Sequence, residues 1–210
     1  MEPKRVPYPL RQERIREESE RAGRPQLDPG LKDRFEAMPK LPVRLIVCPL
    51  GKAANQGGII RLAECFRLER VDVDLGGEDM ADFSGSAGSL NWVDVQWRSA
   101  RESIEEARRL GYRIYALSLT DHAQDVANIQ FEFPCALVLG SEGDGIPADV
   151  LAMCEVTLAI PLYGLCTSLN VSQAAAICVH EMVRQSRGHE PAREGSRRLK
   201  GLTSPAFGDS

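Results

Sequence analysis

The sequence predicts an α/β fold, a mainly parallel sheet with helices on both of its faces. Three observations carry this prediction. Short apolar and β-branched runs recur between residues 41 and 160, and stretches with helical spacing of apolar residues stand between them. Such alternation marks successive strand–helix–strand units. One run, residues 134–139 (PCALVL), is apolar at nearly every position, as a strand covered on both faces must be. Finally, 43% hydrophobic and 27% charged residues in 210 suit one buried core, and exclude a disordered chain, a collagen-like repeat and a disulfide-held miniature scaffold.

Taken in order, residues 1–40 read as a charged, partly helical appendage. Residues 10–21 (LRQERIREESER) are rich in helix formers but offer only Leu10 and Ile15 as an apolar face. Pro25, Pro29 and Gly30 then break the chain before a short helix at 31–38. The main domain spans 41–188. Residues 43–48 are strand-like, and 56–68 form an amphipathic helix with Ile59, Ile60, Ala63 and Phe66 inward. A short strand follows at 71–75, then a Gly/Ser-rich stretch at 76–90 with no clear period. Residues 93–97 read as a strand, and Ser99 caps a helix through Leu110 that Gly111 ends. A strand at 113–119 leads into a polar connection to about residue 132. Beyond 134–139 come a short helix at 146–153, a strand at 156–160 and a long helix at 168–186. Residues 189–210 are a basic tail.

The net charge of −4 argues against a polyanionic partner until its distribution is read. Residues 1–40 carry ten Lys/Arg against eight Asp/Glu, and residues 184–210 carry six against three. No Lys or Arg occurs between Arg113 and Arg184. Any nucleic acid must therefore be held by the termini and the first half of the core. The six cysteines form no Cys-x-x-Cys pair and there are three histidines, so no metal site is expected. Reduced thiols, no secretory signal and no membrane-length apolar run predict a soluble cytoplasmic protein.

Three segments at strand-to-helix passages carry unusual content. The first is Asn55-Gln-Gly-Gly-Ile-Ile-Arg61, where Asn55 is a candidate N-cap and Arg61 falls on the first turns of a helix. The second is Gly140-Ser-Glu-Gly-Asp-Gly145, after the most apolar strand. It is neither a dinucleotide fingerprint nor a Walker loop, and its two acids suit a neutral or cationic adenosyl-type ligand better than a phosphate. The third runs from Ile160-Pro-Leu-Tyr-Gly164 to Ser168-Leu-Asn-Val-Ser172, with Thr167 or Ser168 able to cap the last helix.

In this order the segments NQGGIIRLAECF, LVLGSEGDGIP and IPLYGLCTSLNVSQAAAICVHEMVRQ resemble the three motifs of the SpoU (TrmH-type) branch of SPOUT RNA methyltransferases. The resemblance runs over residues 41–185. It implies transfer of a methyl group from S-adenosylmethionine to a ribose 2′-hydroxyl of tRNA or rRNA, a homodimer, and a C-terminal deep trefoil knot. The residues alone predict an unknotted sheet. Carried over by motif, Arg61 is the catalytic arginine with Asn55 in support, Glu142 belongs to the active-site loop, and Ser168 and Asn170 hold the third motif. The resemblance places the cofactor among Leu139, Gly140, Gly145, Ile160, Pro161, Leu162 and Leu169, with Leu117 at its margin. Two departures stand out: Ser141 replaces a common asparagine, and Pro49-Leu-Gly-Lys-Ala-Ala54 lacks a common acidic residue. The alternative is a non-catalytic RNA-binding or assembly factor on the same fold.

Overall fold

The protein is described here by a computed structural model covering residues 33, 36–77, 86, 88–141, 143–166 and 168–187. The expected helix at 10–21, the basic tail and Glu142 lie outside the described residues, as does much of the short helix at 31–38. Seven strands among the described residues form one wholly parallel sheet: β1 (Leu41–Val47), β2 (Leu68–Val73), β3 (Val95–Trp97), β4 (Arg113–Leu117), β5 (Gln124–Asp125), β6 (Cys135–Leu139) and β7 (Val156–Ala159). Their spatial order is β3-β2-β1-β6-β4-β7-β5. The chain lays strands outward from β1 to one edge, then returns and fills the other side. The order reverses beside β1 and β6, and parallel sheets open a ligand crevice at such a switch, beyond the carboxyl ends of the strands.

Among the described residues four α-helices cover the two faces: α1 (Ala53–Cys65), α2 (Ala100–Arg109), α3 (Ala148–Leu151) and α4 (Val171–Arg187). Side chains alternate across the sheet, so register decides which helix each meets. Leu45, Leu137 and Tyr115 are neighbours on the face packed by Ile59, Ile60 and Ala63 of α1 and by Ala175, Cys178 and Met182 of α4. Ile46, Val138 and Ala116 face the other way, against Ala100, Ile104 and Ala107 of α2 and Val150 of α3. The predicted layers are therefore present, with helices on both faces. The six cysteines are free, and burial pushes the thiols of Cys48, Cys135 and Cys178 up to about 12, so they pack as small apolar side chains. No helix among the described residues is long and apolar enough to cross a membrane.

Several boundaries differ from the sequence expectation. α1 lies three residues earlier than 56–68, because Arg67 adopts a left-handed turn (φ 56°) and Leu68 enters β2, where it pairs with Leu41. Strand pairing overrides the helical period there. The polar connection before residue 132 hides the two-residue edge strand β5, too short to show any alternation. The 76–90 stretch contains a 3₁₀ turn at Ser89–Asn91. α2 follows the prediction closely. Ser99 Oγ accepts from Glu102 N, the Glu102 carboxylate returns to Ser99 N, and Gly111 closes the helix at φ 83°.

Beneath α2 lies a charged network that the strand pattern does not reveal. Arg44 and Arg70 are neighbours on β1 and β2, a like-charge pair that Glu106 of α2 offsets. Glu106 takes both Nη atoms of Arg70 at 3.1–3.2 Å and also pairs with Arg98. Asp72, only 1% exposed, accepts from Arg70 and Arg98. Glu69 accepts from Arg44 at 2.6 Å and from the Tyr112 hydroxyl, and the Arg44 guanidinium stands 4.3 Å from the Tyr112 ring centroid.

Candidate active site

The carboxyl ends of β4, β6 and β7 and the start of α4 enclose a cleft of about 360 Å³. The loop after β6 forms one wall. Ser141 and Gly145 exchange two backbone hydrogen bonds of 3.1 Å, so residues 141–145 close into a tight ring with Gly145 at φ 70°. Ser141 Oγ accepts from Asp144 N at 2.9 Å and fixes the ring from inside. The departure at Ser141 is thus absorbed by a local bond. Gly140 is required where it stands: a Cβ there would lie 2.2 Å from the carbonyl carbon of Gly145.

Seven of the eight cofactor residues implied by the resemblance line this cleft: Leu117, Leu139, Gly140, Gly145, Ile160, Leu162 and Leu169. Pro161 lines an adjoining depression with Leu119 and Leu165 instead. The walls are mostly leucine, isoleucine and glycine backbone, and among the described lining residues Asp144 is the charged one. Among the described residues no Lys or Arg lines the cleft, and residues 114–183 contain neither. A phosphate-rich cofactor would have no countercharge there. An adenosyl group with a sulfonium fits the apolar walls, the backbone groups and the carboxylate. Sequence reasoning missed Ser118 and Ala174 as lining residues, and only the strand register and the helix face reveal them, whereas Asp144 belongs to the acidic loop already matched to an adenosyl-type ligand.

The helical residues of the first and third motifs meet directly. Asn170 Nδ2 donates to Asn55 Oδ1 at 2.9 Å, joining α1 to the start of α4. Neither predicted cap holds. Lys52 is the N-cap residue of α1, with no side-chain cap bond, and Asn55 sits inside the first turn. On α4 the cap is Asn170 rather than Ser168, and Thr167 lies outside the described residues. Asn170 Oδ1 accepts from Ser172 N, and its carbonyl accepts the first helical bond from Ala174 N. Ser168 is exposed and lines the cleft. The helix thus begins three residues later than expected, since asparagine caps as well as serine does and the Ser172 amide reaches only residue 170.

Arg61 occupies the third turn of α1, deeper than the first turns expected of a helix at 56–68, because the helix starts at Ala53. Its side chain is exposed and takes part in none of the ion pairs among the described residues. Burial and the neighbouring Glu64 carboxylate push the Cys65 thiol up, and the charge of Arg61 offsets only part of this. Arg61 does not line the cleft of its own chain. Asn55 and Asn170 are brought together, Ser168 and Leu169 share the cleft, and Glu142 lies outside the described residues.

Residues 42–180 match the model of the SpoU rRNA Methylase family. Among curated relatives, the tRNA (guanosine(18)-2'-O)-methyltransferase of Escherichia coli (strain K12) is 33% identical over 145 residues, covering 67% of this chain and 63% of that protein. The 23S rRNA (guanosine(2553)-2'-O)-methyltransferase of Bacillus subtilis (strain 168) is 32% identical, over 66% of this chain and 56% of its own length. This chain thus spans under two thirds of either relative. A SpoU methyltransferase from Streptomyces viridochromogenes, solved in complex with the cofactor AdoMet, superposes with a TM-score of 0.61 at 25% identity, covering 79% of this chain and 64% of its own. With the family model spanning the parallel sheet, the cleft and the Asn55–Asn170 bridge, the chain belongs to the SpoU rRNA Methylase family.

Proposed function

We propose that the protein is an S-adenosylmethionine-dependent methyltransferase acting on a ribose 2′-hydroxyl of tRNA or rRNA. One observation carries this reading: among the described residues, an apolar cleft free of Lys and Arg at the carboxyl end of the sheet coexists with an exposed arginine outside every ion pair, on a helix bonded to the start of α4. The names of the two relatives support both RNA classes, and the AdoMet-bound structure supports the cofactor. When bound, S-adenosylmethionine supplies an electrophilic methyl group.

Leu117, Leu139, Ile160, Leu162 and Leu169 exclude water from the adenosyl group, and Gly140 and Gly145 let the backbone approach it. The Asp144 carboxylate favours a cationic centre in the cleft. Arg61 meets the RNA from solvent. Its planar fork holds a backbone phosphate beside the attacking 2′-oxygen, and its positive charge favours loss of the hydroxyl proton. With five N–H donors and no acceptor, the guanidinium works more readily as a charge and a clamp than as a base.

A second copy of the chain completes the enzyme in this reading, threaded as the knot that family membership implies. Leu119, Tyr163 and Leu165 are exposed beside the cleft, and an apolar rim of that kind suits a subunit contact in a reduced, cytoplasmic setting. Residues 1–40 and 189–210 supply the basic ends for RNA. The test is transfer of labelled methyl groups to separate pools of unmodified tRNA and rRNA, with Arg61→Ala alongside. Label should enter the ribose of one pool and fall on the order of a hundredfold in the variant, with cofactor affinity unchanged. A variant as active as the wild type removes Arg61 from the chemistry. A wild type that binds cofactor and labels neither pool supports the non-catalytic alternative.

A further inference from the structure

The contact between α1 and α4 contains an order of hydrogen bonds that cannot be reversed. Asn170 Oδ1 accepts from two groups of the same residue, Ser172 N at 3.0 Å and Ser172 Oγ at 2.6 Å. The backbone N–H of Ser172 is a fixed donor. Turning the Asn170 amide around would set its NH₂ group against that donor, leaving a helix-end amide without an acceptor. Asn170 must therefore point its nitrogen at Asn55, and Asn55 must answer with its oxygen, as the 2.9 Å bond shows. Asn55 is then obliged to turn its own NH₂ group away from α4.

The two helices come close enough for this because residue 58 is glycine. A Cβ at Gly58 would stand 3.3 Å from the Ser172 Cβ. One end of the chain of bonds is the first turn of α4, just beyond Leu169 in the cleft wall. The other is the first turn of α1, two turns before Arg61. Both asparagines are partly or fully buried, so each bond acts in a medium where a mismatched amide is costly.

We propose that Ser172 is a positioning residue of the methyl-transfer site. With the start of α4 it fixes the amide polarity of Asn170 and, through it, of Asn55, and so ties the helix bearing Arg61 to the cofactor cleft. This rests on the methyltransferase reading, and it adds a residue that sets geometry without touching substrate or cofactor. The relay acts on orientation, so its loss lowers kcat and leaves cofactor binding alone.

Two variants of the full chain test it. Asn170→Ser keeps a neutral N-cap of equal quality and removes the donor that Asn55 needs. Its Tm should stay within about 3 °C of wild type. Its kcat should fall on the order of tenfold or more, with the cofactor KM held within about twofold. Ser172→Ala keeps the backbone donor, so its kcat loss should be smaller, and the side-chain amide resonance of Asn55 should shift. Wild-type kcat in Asn170→Ser would overturn the proposal. So would an Asn55 resonance unmoved in Ser172→Ala, or a Tm drop above about 10 °C with cofactor binding lost, which would make the bridge a fold element. The resonance arm needs no turnover. If the wild type transfers no methyl, the methyltransferase reading fails by itself and the resonance still decides whether the relay exists.

Discussion

Two polar constructions join helices to this sheet, and they use opposite chemistry. Under α2, Arg44, Arg70 and Arg98 are met by Glu69, Asp72 and Glu106, and the charges are spent on one another. Between α1 and α4 the link is a pair of neutral amides, while Arg61 on the same helix stays exposed and outside every ion pair among the described residues. The difference shows how a largely acidic domain can still keep an arginine available to solvent. An arginine's role follows from whether a carboxylate has been built to meet it, and residue type alone does not tell the two apart. Buried charge serves the fold under α2. Uncommitted charge is kept where the cleft and the third motif converge.

The sharpest way to break this contrast is Asp72→Ala. Asp72 is almost wholly buried between two arginines, so truncation takes the acceptor from the Nε groups of Arg70 and Arg98 and leaves Glu106 alone to meet both charges. Unfolding free energy should fall by about 3–5 kcal/mol, as when one partner of a buried pair is removed. Chemical denaturation measures the loss. Cofactor affinity of the remaining folded protein should not change, because the network lies on the opposite face from α1 and α4. A fall in cofactor affinity comparable to the loss of stability would mean that the two regions are coupled.

Gly140→Ala attacks the other region. The new Cβ would meet the backbone of Gly145 and Ile146 at 2.2–2.4 Å, so the ring at 141–145 must open. Cofactor affinity should drop more than about tenfold, or about 1.4 kcal/mol. The strand β6 below should stay paired, and calorimetric titration beside thermal unfolding separates the two effects. Unchanged affinity would place the cofactor elsewhere.

How much of this could be read in the sequence depended on the length scale of each signal. Apolar periodicity gave the two-faced sheet, because Leu45, Leu137 and Tyr115 alternate with Ile46, Val138 and Ala116 whatever their neighbours are. The capping box at Ser99 and Glu102 was legible for the same reason: both partners lie within one turn. Helix starts were misjudged where several capping residues stood close together, as at Thr167, Ser168 and Asn170. Only a tertiary partner chooses among them, and Asn55 lies 115 positions away from Asn170. Motif resemblance singled out both asparagines, and seven of the eight cofactor residues it implied line one cleft. It could not say that Pro161 turns toward the neighbouring depression, since that follows from loop geometry. The buried ion network was hidden because charged residues in LPVRLIV and LERVDV look like solvent-facing positions until a helix covers them. A knot escapes any such reading, because strand order fixes neighbours without saying which loop passes through which.

The gentlest probe is acid. Hydrogen bonds from Arg70 lead the effects that bring the Glu106 carboxyl down to about 2, although partial burial pushes it the other way. A carboxyl that binds its proton less readily folded than unfolded stabilises the fold above its ordinary range. Its contribution is complete above the unfolded value near 4.5 and disappears as the pH falls toward about 2. Glu106→Gln should therefore flatten the stability profile within that window and leave its shape above pH 5 unchanged. The offset at pH 7 should stay below about 1 kcal/mol, because the side chain is a quarter exposed and solvent screens its charge. Asp72 beside it has the opposite sign. Burial raises its carboxyl against the pull of both arginines, so it releases some of its cost as it protonates. Denaturant midpoints for both variants between pH 2 and pH 7 would separate the two carboxylates. A Glu106→Gln profile parallel to wild type throughout would mean that the Arg70 bonds do not hold in solution. The arginines under α2 would then be less committed than their geometry implies, and the contrast with Arg61 would narrow accordingly.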